Sequence, residues 1–469
     1  MRTEVSALAF DSRQVCADSI FFAVDGMELD GHKFIPEAIL NGAAAVVSER
    51  PSPKGFPKVW VRVPEIRRSM AEISSYYYEN PSSRMRLVGI TGTNGKTTTA
   101  YLVHSILSKN HPSLLLGTIE TYCGSRRLPA IRTTPEASEI QRLLSMAVEE
   151  GCQAGAIEVS SHALALDRTY GCEFEVGVFT NLSQDHLDFH GTMQDYLRAK
   201  QRLFESTYNP GLKIAVLNGD DPCSESLQMD PSVARITFGF EPSNDIHPIR
   251  VGTGIDGIKM DLELPKEKIS LESRLVGRHN VYNIMAAVTA CHALGISGNL
   301  IRDGIAGLKT VPGRFERVDG ESPFSVFVDF AHTPDGLKNV LRLARQMSEG
   351  RVICVFGCGG DRDISKRPKM GGVAAKLADV LILTSDNPRS ESPEEILRQI
   401  ELGIPGGTAY QVIEDRRSAI GMSFRIAKPG DLVLIAGKGH EVFQEFGHHQ
   451  VEFSDVVVAK ELHGRNCSG

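Results

Sequence analysis

No run in this chain approaches the ~18 consecutive apolar residues of a membrane span, and the opening MRTEVSALAFDSRQV has no apolar core of a secretory leader. A cytoplasmic protein with no integral membrane segment is therefore expected. Basic residues are not in excess. Lys and Arg number 51 against 58 Asp and Glu, a formal net charge of −7, so the molecule as a whole repels polyanions and no nucleic acid partner is expected. Cysteine pairing motifs are missing as well: the nine cysteines never fall at Cys-x-x-Cys spacing, which speaks against a disulfide framework and against a zinc ribbon. Internal repeats and low-complexity tracts are also absent.

What is present is ordinary globular composition, 41% apolar and 23% charged, with a mild excess of glycine at 44 residues. At ~150 residues per domain, 469 residues suggest three domains. Short apolar runs alternate with helix-period segments, the pattern of parallel sheets built from βαβ units, so the fold class is α/β. Strand candidates lie at Phe21–Val24, Ala44–Ser48 and Val59–Val63, with a helix over Glu65–Tyr78 and a linker at Asn80–Ser83. Later candidates are Arg86–Ile90, Leu114–Leu116, Gly155–Val159, Val176–Thr180, Ile214–Leu217, Ser325–Phe330, Val352–Phe356, Val380–Thr384 and Leu432–Ala436. The boundaries this implies are 1–83, 84–311 and 312–469. Many of these strands run into polar, glycine-rich segments, and open α/β sheets bind ligands at the carboxyl ends of their strands.

Gly92-Thr93-Asn94-Gly95-Lys96-Thr97 stands between an apolar strand and apolar residues at helical spacing. That order is a phosphate loop: glycines let backbone N–H groups curl round phosphate oxygens, Lys96 adds a cation, and the Thr97 hydroxyl can ligate Mg²⁺. The strict spacing would put glycine at position 90, where this chain has Ile90, so the motif is a variant. Glu158 ends an apolar run and is a plausible carboxylate ligand for Mg²⁺. His186 and His190 share a zinc-like spacing, but with no third ligand nearby and no helix expected there, zinc is rejected. Taken alone, His186 reads as a core or loop residue with satisfied hydrogen bonds and Lys200 as part of a solvated helix face.

TGTNGKTTT (91–99), TTPEA (133–137), EVSSHAL (158–164), FTNLSQDHLDFHGTMQDYLRAKQRLF (179–204), GRHNVYN (277–283), GRFE (313–316), DFAHTPDGL (329–337), GGDRD (359–363), TSDNPRSE (384–391) and GKGHE (437–441) together resemble the Mur ligases. The resemblance runs from Asp11 to Glu441, and is strongest to the members that add the third residue of the peptidoglycan stem peptide. It implies an N-terminal uridine-nucleotide domain, a central ATPase domain and a C-terminal Rossmann-like domain in a bacterial cytoplasmic ligase. The implied substrates are ATP, UDP-N-acetylmuramoyl-L-alanyl-D-glutamate and an amino acid. A monomer is expected.

By the same resemblance, Gly92 to Thr98 (with Thr98 included), Asn283, Arg314 and Asp329 would hold ATP. Ser12, Asp30, Gly31, His32, Thr133, Thr134, Ser160 and Arg168 would hold the UDP-sugar-peptide. Thr97 and Glu158 would serve one Mg²⁺, and His186 and Lys200 a second, with Lys200 carried as a CO₂-derived carbamate (N6-carboxylysine). Lys96, Glu158, His186, Lys200 and Arg314 would be catalytic, with domain closure delivering Arg314 and Asp329. One departure is Leu166, where the family usually has glutamine two residues before Arg168. Arg362, Asp386, Asn387, Pro388, Arg389, Gly437 and Glu441 would receive the amino acid. An arginine fork suits a carboxylate and a glutamate suits an ammonium, so the pair fits meso-diaminopimelate better than lysine. The rivals are a lysine-adding, D-alanyl-D-alanine-adding or folylpolyglutamate ligase, or a nucleotide-dependent binder without catalysis.

Overall fold

Strands such as Arg86–Thr91 and Val352–Phe356 are apolar over nearly their whole length and buried on both faces, the mark of parallel sheets covered by helices on each side. The computed structural model describes residues 4–26, 29–130, 132–265, 267–447 and 449–465. The chain divides into two compact units: 1–252 with 259–272 and 278–308, and 253–258 with 273–277 and 309–469.

In the first unit, β1 (Leu8–Ala9), β2 (Ile20–Phe22), β3 (Ala45–Ser48) and β4 (Val59–Arg62) form a parallel sheet in that order. Behind it the Ile66–Tyr77 helix buries Ile66, Met70 and Ala71 in a cluster that also holds Phe22, Val47 and Ala137. This small sheet therefore shares its core with the helix that begins at Ala137. The main sheet contains β5 (Arg86–Thr91), β6 (Ser113–Leu116), β7 (Glu120–Cys123), β8 (Arg126–Pro129), β9 (Ala154–Glu158), β10 (Val176–Phe179), β11 (Ile214–Asn218) and β12 (Ala234–Phe238). Its order is β12-β11-β10-β5-β9-β6-β7-β8, parallel except for the antiparallel β6-β7-β8 edge. The chain leaves β5 toward one side and reaches β10 on the other, so β5 stands at a topological switch point with its carboxyl end open to a ligand.

Next along the chain, β13 (His247–Gly254), β14 (Gly257–Glu263) and β15 (Lys268–Ser273) make a three-stranded sheet. The second unit is built on β16 (Glu316–Arg317), β17 (Ser325–Asp329), β18 (Val352–Phe356), β19 (Val380–Leu383), β20 (Tyr410–Val412) and β21 (Leu432–Ala436), in the order β16-β17-β21-β18-β19-β20. All its pairs are parallel but β16-β17. The loops after β17, β21, β18 and β19 thus issue side by side from one edge. An antiparallel hairpin, β22 (Phe443–Phe446) with β23 (His449–Glu452), follows β21.

One expectation is overturned here. The segment after β10 was expected to be non-helical, yet Leu187–His190 forms a single helical turn led by His186 in the left-handed conformation (φ 52°). Among the described residues, no helix is long and apolar enough to cross a membrane.

Candidate active site

The phosphate loop leaves β5 and closes into the Lys96–Leu107 helix. Gly95 turns it with φ 86°, and a Cβ there would fall 2.3 Å from Asn283 Oδ1, so only glycine lets the loop pass this asparagine. Asn283 itself is buried in the Arg278–Ala293 helix and donates to Asn280 Oδ1 at 2.8 Å. It is therefore a helical residue. Lys96 Nζ donates to the Gly92 and Thr93 carbonyls at 3.0 and 2.8 Å. Across the loop, Asn94 N donates to Asn181 Oδ1 at 3.0 Å and Thr180 Oγ1 donates to the Asn94 carbonyl at 2.6 Å.

Glu158, at the end of β9, is fully buried. Its Oε2 accepts from Thr97 Oγ1 at 2.9 Å and Thr118 Oγ1 at 3.0 Å, and its Oε1 from Thr118 N at 2.8 Å. Thr118 Oγ1 also reaches Thr133 Oγ1 at 3.2 Å. Thr134 Oγ1 donates to the Glu158 carbonyl at 2.7 Å and meets Ser160 Oγ at 3.3 Å, while Arg168 Nη1 donates to the Thr134 carbonyl at 3.3 Å. Thr97, Glu158, Thr133, Thr134, Ser160 and Arg168 thus form one continuous network. Thr118 was not anticipated; its only signal was its place in the polar segment after β6.

Lys200 corrects the solvated-face reading: it is 1% exposed. Its Nζ donates to the Gly92 carbonyl at 2.8 Å and lies 4.3 Å from the centre of the Tyr196 ring. Burial, helped by the charge on Lys96, holds the Lys200 pKa well below the ordinary lysine range. Tyr196 is a second unanticipated member; its hydroxyl meets Thr93 Oγ1 at 3.2 Å and its ring centre lies 6.1 Å from that of His186. His186 also packs edge-on against His162 at 4.7 Å. Burial lowers the pKa of His186, which favours the neutral imidazole, and burial pushes His162 down to about 4.

On the small sheet, Ser12 Oγ donates to Glu37 Oε2 at 2.7 Å and Asn41 Nδ2 donates to the Ser12 carbonyl at 2.9 Å. Asp30 forms a separate group with His32, accepting from its backbone N at 3.0 Å and meeting its Nδ1 at 2.7 Å, while Arg50 lies 3.0 Å away. These contacts, led by the His32 amide, hold the Asp30 pKa down at about 2. His32 Nε2 continues to Ser48 Oγ at 2.8 Å. A cavity of about 850 Å³ in this unit is lined by residues that include Asp25, Ile66, Arg67, Asp167, Arg198 and Arg202.

In the second unit, Asp329 ends β17, is buried, and accepts from Phe315 N at 2.6 Å. Burial raises its pKa to about 6 against the pull of Arg314. Arg314 itself lies 5.3 Å from the centre of the Phe330 ring. The DNPR loop follows β19. Asn387 Nδ2 donates to Glu441 Oε2 at 2.8 Å, and Lys438 Nζ donates both to Asn387 Oδ1 at 2.9 Å and to Glu441 Oε2 at 2.8 Å. Lys438 is wholly buried and was missed, although it stands inside the GKGHE motif. Gly437 N donates to the Asp329 carbonyl at 3.0 Å and, through its bare Cα, lies close to Asp386.

Arg389 adopts φ 52°, donates from Nη1 to the Gly360 carbonyl at 2.8 Å, and pairs through Nε with Glu445 Oε2 of the hairpin at 2.8 Å. The Arg362 and Arg389 side chains both lie over Gly359. A guanidinium group and a carboxylate group are thereby presented from one loop cluster, with Asn387 between them.

Comparison with known proteins shows which family the chain is similar to. Residues 4–78 match the Mur ligase family catalytic domain, 90–291 the Mur ligase middle domain, and 313–439 the Mur ligase glutamate ligase domain. The chain is 44% identical over 463 residues to a UDP-N-acetylmuramoyl-L-alanyl-D-glutamate–2,6-diaminopimelate ligase of Solibacter usitatus, covering 98% of this chain and 94% of that protein. It is 45% identical over 463 residues to one of Geobacillus kaustophilus, covering 97% and 94%. A solved structure of a ligase with the same name superposes with a TM-score of 0.70 at 34% identity, covering 99% of this chain and 96% of that one. With two relatives above 40% identity along nearly the whole length and three domain matches in order, this chain belongs to the Mur ligase family.

Proposed function

We infer that the protein is an ATP-dependent amide ligase that joins meso-diaminopimelate to UDP-N-acetylmuramoyl-L-alanyl-D-glutamate in peptidoglycan precursor synthesis. The activity class and the substrate pair follow the names of its full-length relatives. The proposal assigns the UDP-sugar to 1–83, ATP to 84–311 and the amino acid to 312–469, in a bacterial cytoplasmic monomer.

A glutamyl carboxylate of the acceptor attacks the γ-phosphorus of ATP, giving an acyl phosphate and ADP. The amine then attacks the acyl carbon, an amide forms and phosphate leaves. The loop amides and Lys96 cradle the phosphates, while Asn283, Arg314 and Asp329 are assigned to the same nucleotide. Thr134, Ser160 and Arg168 orient the acceptor, and Ser12, Asp30, Gly31 and His32 are assigned to its uridine end. Holding amine and acyl phosphate together out of water supplies much of the rate.

The donor set around Glu158, a carboxylate with the Thr97 and Thr118 hydroxyls, is all oxygen and suits a hard cation. Lys200 suits carbamylation, since burial favours the neutral amine that adds CO₂, and the neutral imidazole of His186 is competent as a ligand. Two Mg²⁺ ions held by these residues would neutralise phosphate charge.

The observation that carries the choice of amino acid is Asn387 joined to Glu441, with Arg389 and Arg362 over Gly359. A far end that carries both ammonium and carboxylate satisfies both; lysine lacks the carboxylate. The test is phosphate release with ATP, Mg²⁺ and the UDP-sugar-dipeptide, with diaminopimelate or L-lysine supplied in parallel and the product weighed by mass spectrometry. Turnover with diaminopimelate alone is expected, and turnover with lysine overturns the choice. Arg389→Ala should weaken use of diaminopimelate by about 10- to 100-fold while leaving KM for ATP nearly unchanged; equal losses in both would count against the assignment.

A further inference from the structure

No step of the ligase chemistry uses Glu136. It is buried, and its carboxylate meets three guanidinium groups brought from three segments: Arg132 Nη1 at 2.8 Å, Arg168 Nη2 at 2.9 Å and Arg67 Nη1 at 3.4 Å. Three cations against one anion leave a local excess of two positive charges in a molecule whose net charge is −7. Arg168 Nε is moreover buried without a hydrogen-bond partner. Burial, and after Glu136 the charges of Arg132 and Arg67, bear on the Arg168 guanidinium, with burial and the two arginines acting against its charge. A cluster of this kind is relieved by an anion from outside.

Its position says which anion. On one side Arg168 holds the Thr134 carbonyl, and Thr134 Oγ1 reaches the Glu158 carbonyl and Ser160, so the cluster begins at the edge of the phosphate-loop network. On the other side Arg67, on the helix behind the small sheet, lines the 850 Å³ cavity. An elongated acceptor reaching from that cavity to Glu158 would bring its glutamyl end past Arg67 and Arg168. That end bears two carboxylates, of which only one reacts with ATP.

We propose that Arg67 and Arg132, gathered beside Arg168 by Glu136, bind the spectator carboxylate of the acceptor's glutamate. Planar guanidinium groups pair with carboxylates in a two-point fashion that a lone cation cannot reproduce. Glu136 keeps the arginines converged while the site awaits substrate, and Arg67 ties acceptor binding to the small sheet. The proposal rests on the acceptor assigned under Proposed function.

The test is steady-state kinetics of the full-length Arg67→Gln variant with two acceptors: the natural one, and its mono-amide in which the spectator carboxylate alone is a primary amide. KM for the natural acceptor should rise by about 10- to 100-fold, with kcat and KM for ATP within about twofold of wild type. With the mono-amide the variant and wild type should differ by less than about threefold, because the group Arg67 would bind is gone. Arg132→Gln, on a half-exposed side chain, should follow the same pattern more weakly and serves if Arg67→Gln folds poorly. Equal penalties on both acceptors would make Arg67 a strut between elements and overturn the proposal, as would no penalty on either. Wild-type enzyme that ligates neither acceptor would instead overturn the ligase reading on which the proposal stands.

Discussion

Asp329 shows how a buried carboxylate leaves its mark on stability. Its folded pKa of about 6 stands above the ordinary carboxylate value of 3.8, chiefly through burial, so the folded chain holds a proton there that the unfolded chain has released. The contribution is complete below about pH 4 and is lost as pH rises through about 6, on the order of 3 kcal/mol in all. Asp329→Asn keeps an oxygen for Phe315 N and removes the titration. The melting temperature of wild type minus that of the variant should therefore fall by several degrees between pH 4.5 and 7.5 in the absence of ligands. A difference that stays flat across this range would mean that the carboxylate is solvated in the free protein.

Elements rather than residues decide whether the phosphate loop is aimed correctly. The Lys96–Leu107 helix packs against the Gly298–Gly307 helix, where a Cβ at Gly304 would lie 2.4 Å from Ile106 Cα and Ser105 Oγ donates to the Gly304 carbonyl at 2.7 Å. Gly304→Ala should force the two backbones apart, lowering stability by about 1–3 kcal/mol and raising KM for ATP, as read by thermal melts and steady-state kinetics; a variant with wild-type values for both would show that the helices can slide freely. None of this closeness is visible in the sequence, where Gly304 is merely a weak helix residue. The inner parallel strands were legible to within a residue or two, because strands buried on both faces are written as unbroken apolar runs; Val352–Phe356 and Leu432–Ala436 agree at both ends, whereas the parallel edge strands Leu8–Ala9, Ala234–Phe238 and Tyr410–Val412 escaped. The strands that escaped are half-buried or exposed, as Tyr410–Val412 and His449–Glu452 are. Gly257–Glu263 and Lys268–Ser273 alternate in burial, and their polar faces hid them among loops. Of the candidate site, the residues around the phosphate loop and Glu158 were reachable through motif resemblance, but Lys200 read by itself as solvated because its burial comes from elements distant in sequence. Glu136 and Tyr196 stand inside quoted motifs and Thr118 in the polar segment after β6, yet none was singled out, because their contacts come from partners that the fold brings to them.

At the scale of the whole molecule, three sequence-matched domains need not mean three cooperative units. The small sheet and the main sheet share a cluster in which Phe22, Val47, Ile66 and Met70 meet Ala137, so neither can lose its core without exposing part of the other. The second unit has clusters drawn from its own residues, one around Phe327, Leu341 and Phe356 and another around Val326, Ile353 and Phe424. Cooperativity follows shared burial, and separate cores unfold as separate transitions. Calorimetry of the intact, unliganded chain should accordingly resolve two transitions, with a calorimetric enthalpy larger than the van't Hoff value. The variants assign them. Gly304→Ala should lower one transition and leave the other in place, while Asp329→Asn at pH 7.5 should raise that other one, since it removes a buried charge from the second unit. A single transition with equal enthalpies, or a Gly304→Ala shift of the same size in both, would mean that the chain unfolds as one body and that the division between residues 308 and 309 has no thermodynamic meaning.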